Sequence, residues 1–254
     1  MTLLRSLIMA ISCFSQIPVP QVEWKPESMR YMMGFFPAVG VVIALLLAGW
    51  VWLCSALGFG AILQAAGIAL IPICVTGGIH MDGFADTCDA LASNAPPEKR
   101  RQILKDPHAG AFAIIGVVAY VLAYFAFATE FDPSRALLQL LVVPVFVRTL
   151  SGIATVKFPL SAGRGMLADE QESSAKGRVF VALAVLACVC VGVLVWLNPV
   201  CGLVMACVAA ACFGGLYALS QRTFGGMSGD LAGLFLQVCE LALLVGIVVV
   251  FKLV

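Results

Sequence analysis

Seven apolar stretches, at roughly 35–57, 61–79, 109–129, 135–156, 178–197, 199–219 and 230–252, leave little of this chain free for anything but crossing a bilayer. An α-helix needs about 20 consecutive apolar residues to span the hydrocarbon core. The composition agrees: 62% of the 254 residues are hydrophobic and only 11% charged, with a mean hydropathy of +1.04. A soluble domain carries about 25% charged residues, so this chain cannot cover a water-facing surface. The sequence therefore predicts an all-α, polytopic integral membrane bundle of about seven spans. The opening MTLLRSLIMAISCFSQIPVP has one Arg and a short apolar stretch but no small-residue cleavage site, and reads as a retained interfacial or re-entrant helix. No soluble domain, linker or convincing repeat stands apart, so residues 1–254 read as one membrane-embedded unit.

The connections alternate in character. Those near 57–61, 130–135 and 198–199 are short and poor in basic residues, whereas the N-terminal segment, 80–108, 157–178 and 220–229 are longer and charged. All of the fifteen Lys and Arg except Arg135, Arg148 and Lys252 fall in that second set. The positive-inside rule then places the N-terminus and the long connections in the cytoplasm of a bacterial cell, with the chain in the cytoplasmic (inner) membrane and any site on the charged connections open to the cytoplasm. A formal net charge of +1 and the lack of a long basic run exclude nucleic-acid binding as the main activity. Ten cysteines without paired-ligand spacing read as small apolar packing residues.

With charge so scarce, the acids carry the information. In GGIHMDGFADTCDALASNAPPEKRRQILKDPHAG, Asp82, Asp86 and Asp89 recur at i, i+4 and i+7 and share one helical face. The stripe extends about 10 Å along the axis, the scale of a diphosphate with its cations. Like charges stacked this way repel unless a cation lies against them, and all-oxygen ligands favour Mg²⁺, which bridges one or two carboxylates to substrate phosphates. The competing reading is a solvated helix whose acids pair with Lys99, Arg100, Arg101 and Lys105. His80 reads as a ligand, a substrate hydrogen-bonder or an interfacial residue, and Asp106 as a helix cap ahead of the third span or a site residue.

A second stretch, RTFGGMSGDLAGLFLQVCE, places Gly225, Gly226 and Gly229 before Asp230 at the start of the last span. Glycines there permit close backbone approach, exposed amides at the helix start suit an anion, and Asp230 suits its metal. Glu240 lies about 15 Å deeper and cannot share that ion, so it reads as a buried partner for Arg148, a structural or supporting pair inside the bundle.

At these residues the sequence resembles the cobalamin synthase family, the adenosylcobinamide-GDP ribazoletransferases. The resemblance runs through nearly the whole chain: FSQIPVP, then GGIHMDGFADTCDA, then RRQILKDPHAG, then RTFGGMSGDLAG with Glu240. His108 stands where the family usually carries Arg or Lys, and Pro107 where it carries Ser. The resemblance implies an integral membrane enzyme joining adenosylcobinamide-GDP to α-ribazole, or its 5′-phosphate, with release of GMP. It implies Mg²⁺ on Asp82, Asp86, Asp89 and Asp230, with Asp82 or Asp86 taking the proton of the attacking hydroxyl. His80, Arg101, Lys105, Asp106, Arg164, Gly225, Gly226 and Gly229 would contact substrate, and a homo-oligomer is left open. Two alternatives fit less well. A CDP-alcohol phosphotransferase would follow Asp82-Gly83 with a different aspartate spacing, and a transporter would carry its acids near the membrane midplane.

Overall fold

A computed structural model of the chain describes residues 2–161 and 171–253, so Arg164 lies outside the described residues. Eleven α-helices are described: α1 (Thr2–Phe14), α2 (Pro26–Met29), α3 (Phe36–Leu57), α4 (Ala61–Thr76), α5 (Ile79–Ala92), α6 (Pro97–Ile103), α7 (Ala111–Thr129), α8 (Pro133–Lys157), α9 (Lys176–Leu197), α10 (Pro199–Leu219) and α11 (Gly229–Leu253). Six helical segments are long and apolar enough to cross a membrane, and a seventh crossing results if the bent pair α4 and α5 is counted as one. The chain is thus a multi-pass helical membrane protein. Six of the expected spans match described helices to within about two residues, within the usual fraying of helix ends.

The short connections are built from caps. The Asp132 carboxylate accepts from Ser134 N at 2.9 Å and the Asn198 side chain from Cys201 N at 2.9 Å, each followed by a proline at the first helical position. A capping side chain plus a proline of preset φ turns the chain back with almost no loop.

The second expected span is corrected. It stops at Thr76 rather than at 79, because Gly77 and Gly78 take φ of +62° and +78° and turn α5 by 94° from α4. L-residues with a side chain rarely adopt that conformation, and two in succession redirect the helix. A Cβ on Gly77 would also come within 2.2 Å of the Gln16 side chain, since the segment after α1 is stitched to the bend by Gln16 N donating to Val75 O at 2.8 Å. α5 therefore leaves the direction of α4 and lies against the N-terminal ends of α7 and α11, carrying its acids there.

α8 and α11 form the middle of the bundle. In these two helices 61% and 56% of the apolar window is buried, against 22% in α7 and α9, whose outer faces remain for lipid. This burial explains which spans tolerate polar residues: Gln139, Arg148, Thr149, Ser151 and Thr155 on α8 and Gln237 and Glu240 on α11 are all enclosed by protein. α11 packs against α5, α7, α8 and α10, so the helix whose first turn carries Asp230 touches both the acidic helix α5 and the central helix α8.

Candidate active site

The acidic stripe is a helix, as its spacing requires. Asp82, Asp86 and Asp89 lie on α5, with Asp82 exposed and the other two half-buried. What brings Asp230 to them is a close crossing of α5 and α11 at two glycines. A Cβ on Gly83 would lie 2.8 Å from the Asp230 Cα, and one on Gly233 would lie 2.7 Å from His80 O and 3.2 Å from the Gly83 Cα. Small residues at such a crossing let two backbones approach where larger side chains would hold them apart. Neither glycine stands out in the sequence, although the Asp82-Gly83 dipeptide inside a regular acidic repeat is the signal that could have pointed to one.

The result is a concentration of negative charge. Burial first, then Asp82, Asp230, Asp89 and Asp106 in that order, push the Asp86 carboxyl up to about 6 from an ordinary value of 3.8. Four aspartates from the two sequence motifs are thus within electrostatic reach of the Asp86 side chain. Repulsion of this kind is the condition under which a bound cation is favoured.

The four carboxylates expected to hold metal do not have equal freedom. Asp89 Oδ2 accepts from Gly110 N at 2.6 Å and Oδ1 from Ala113 N at 2.9 Å, so this side chain caps α7, whose own cap residue is a glycine. Each oxygen keeps a further lone pair, but both are oriented by amides. Asp106 does not cap α7. Its Oδ1 accepts from His108 N at 3.0 Å and pairs with His108 Nδ1 at 2.8 Å, and those hydrogen bonds hold the Asp106 carboxyl below the usual carboxylate range. Among the described residues, no three His, Cys, Asp or Glu side chains close around one point tightly enough to enclose a metal unaided. The donor set that remains, Asp82, Asp86 and Asp230 on two crossing helices, suits a hard cation that keeps several waters and takes further oxygens from a phosphate.

The other expected contacts divide. His80 is 6% exposed, its ring turned into the bundle between Phe14 (centroids 6.3 Å apart) and Phe36 (5.6 Å), with Nε2 buried and without a hydrogen-bond partner among the described residues. Arg101 reaches the glycine loop, donating from Nη1 to Phe224 O at 2.8 Å, and Lys105 lies exposed just beyond α6. Gly225 and Gly226 have φ of +70° and +145°, and the loop is pinned to the segment after α8 by Met227 N donating to Pro159 O at 2.8 Å and Ser161 N to Met227 O at 3.0 Å. Gly229 is exposed at the first position of α11. Arg148 and Glu240 do pair, Nη1 to Oε1 at 2.7 Å, both side chains buried.

An all-helical multi-pass bundle with acids from two crossing helices gathered at one end defines a membrane protein with a polar, anionic site at its surface. The chain belongs to the cobalamin-5-phosphate synthase family, whose profile matches residues 6–248. It is 39% identical over 238 residues to the adenosylcobinamide-GDP ribazoletransferase of Lachnoclostridium phytofermentans, covering 94% of this chain and 91% of that one. It is 34% identical over 223 residues to the protein of the same name from Pseudomonas savastanoi pv. phaseolicola, covering 87% and 88%. No solved structure matches the chain.

Proposed function

We propose that the chain joins adenosylcobinamide-GDP to α-ribazole, or to its 5′-phosphate, and releases GMP, at a site facing the cytoplasm of the bacterial inner membrane. The observation that carries this reading is the convergence of Asp82, Asp89, Asp106 and Asp230 on Asp86, in a chain whose family profile runs through all of these residues. Acids gathered this closely at one end of a largely apolar bundle favour a cationic counterpart, and a diphosphate substrate needs the same counterpart.

Bound by Asp82, Asp86 and Asp230, Mg²⁺ would supply charge neutralisation of the diphosphate and of the leaving GMP. The ribose hydroxyl oxygen of the acceptor forms the new bond to the phosphorus nearer the cobinamide. The bond from that phosphorus to the bridging oxygen breaks, and GMP departs with that oxygen. Asp82 or Asp86 would take the hydroxyl proton as the new bond forms. Asp89 holds α7 in place behind the stripe, and the amides of the Gly225–Gly229 turn lie at the N-terminal end of α11, where anions are favoured.

The test is GMP release from adenosylcobinamide-GDP plus α-ribazole by sealed inverted membrane vesicles, with Mg²⁺ supplied outside. Wild-type vesicles should turn over, right-side-out vesicles should not, and Asp82→Asn should lower turnover by about a thousandfold while remaining in the membrane at wild-type levels. Normal GMP release by Asp82→Asn would remove the acidic stripe from the reaction.

A further inference from the structure

We propose that Arg101 is a positioning residue that holds the Asp230 half of the site in register with the α5 half, and is not primarily a contact to substrate. This inference rests on the metal-assisted reading above and deepens it.

Arg101 is engaged on two sides. Nη1 donates to Phe224 O at 2.8 Å, across 123 residues of sequence, and Nη2 lies 3.3 Å from Glu98 Oε1. Phe224 ends a π-helical turn, Ser220–Phe224, where carbonyls lose their regular helical donors, so an arginine there supplies a missing bond. The guanidinium also lies directly over Gly225, where a Cβ would come within 2.8 Å of Nη1. Position 225 is thus glycine on two grounds: a φ of +70° and the arginine above it.

The strut closes a circuit. On its other side the loop is held by Pro159 and Ser161 through Met227, and Gly226 N donates to Ser220 O at 2.8 Å. Ser228 Oγ then accepts from Leu231 N at 3.3 Å, starting α11 beside Asp230. α6, which carries Arg101, follows α5 after four residues, so the chain bearing Asp82 and Asp86 grips the loop that presents Asp230. The Gly83 contact fixes how closely the two helices approach, and Arg101 fixes the loop from which α11 starts.

The test measures metal binding directly on the full chain in detergent, with Mn²⁺ as the spectroscopic stand-in for Mg²⁺, by electron paramagnetic resonance. Arg101→Met should weaken Mn²⁺ binding about tenfold, the equivalent of about 1.4 kcal/mol, while the KM for adenosylcobinamide-GDP at saturating metal changes less. Gly225→Ala, which keeps the arginine but displaces it, should give the same loss, and the double variant should be no weaker than either single one. Should Arg101→Met fail to fold, Arg101→Lys, which keeps the charge but not the planar fork, decides the matter. Unchanged Mn²⁺ affinity in the variants with a raised KM would make Arg101 a substrate contact and overturn the proposal. No Mn²⁺ binding by the wild-type chain would overturn the metal reading itself, and this inference with it.

Discussion

Asp86 is the residue at which the charges of the site are felt together, and its titration has a definite sign. Its carboxyl is raised from 3.8 to about 6 in the folded chain, so the folded state holds a proton that the unfolded state has already released. In metal-free protein, the stabilisation this group contributes is fully present below about pH 4 and is lost as pH rises through about pH 6. A divalent cation competes with that proton. We therefore expect Mg²⁺ to raise the thermal midpoint of the purified protein little at pH 5 and clearly at pH 7.5, measured at low ionic strength. An Mg²⁺ shift independent of pH across that interval would mean that Asp86 lies apart from the cation. Asp86→Asn should remove the pH dependence of the metal-free midpoint between those values, since it retains the shape and loses the proton.

At the scale of elements, the site depends on how closely α5 and α11 approach. Gly83 meets the Asp230 backbone, which cannot swing aside as a flexible side chain would. Gly83→Ala should cost about 1–3 kcal/mol by forced separation of the helices and should reduce activity further than stability, because Asp82 and Asp230 move apart. A thermal midpoint and a GMP-release rate measured on the same preparation check both parts, and wild-type turnover in a stable variant would break the link between the crossing and the chemistry. This crossing was not legible in the sequence, whereas the acidic stripe was. Asp82, Asp86 and Asp89 share one helix, and a spacing of i, i+4, i+7 is local information. The partnership of Gly83 with Gly233 exists only once α11 has packed on α5. The role of Asp89 was hidden for the same reason, since a carboxylate capping α7 from another helix leaves no local pattern. Asp106 looked like that cap by position, but Pro107, His108 and Ala109 intervene and the helix starts after Gly110. The Gly77-Gly78 pair was visible as punctuation, though the direction of the 94° bend was not, and with it went the orientation of the His80 ring, which turns inward from the first turn of α5.

On the scale of the whole molecule, the bundle is organised around the two most buried spans, and the Arg148–Glu240 pair joins them about 15 Å along α11 from Asp230. The guanidinium also donates to Pro144 O at 3.0 Å and lies 5.9 Å from the Phe36 ring, so α3 is drawn into the same contact. Arg148 Nε, Ser151 Oγ and Thr155 Oγ1, on adjacent turns of α8, are buried without a hydrogen-bond partner among the described residues. The sequence suggested this pair from two isolated charges in apolar spans, because such groups rarely remain unpaired in a membrane. Its energetic character follows from burial. Removing one partner strands the other charge, so Arg148→Met or Glu240→Met alone should destabilise the bundle by about 3–5 kcal/mol. The double variant replaces both charges with flexible apolar side chains and should recover most of that loss. Unfolding in mixed micelles, with denaturing detergent as the titrant, measures all three variants against wild type. Losses that simply add in the double variant would mean that each side chain acts through separate contacts. Recovery of stability together with GMP release would show that the pair holds α8 and α11 together without taking part in the chemistry at the far end of the helix.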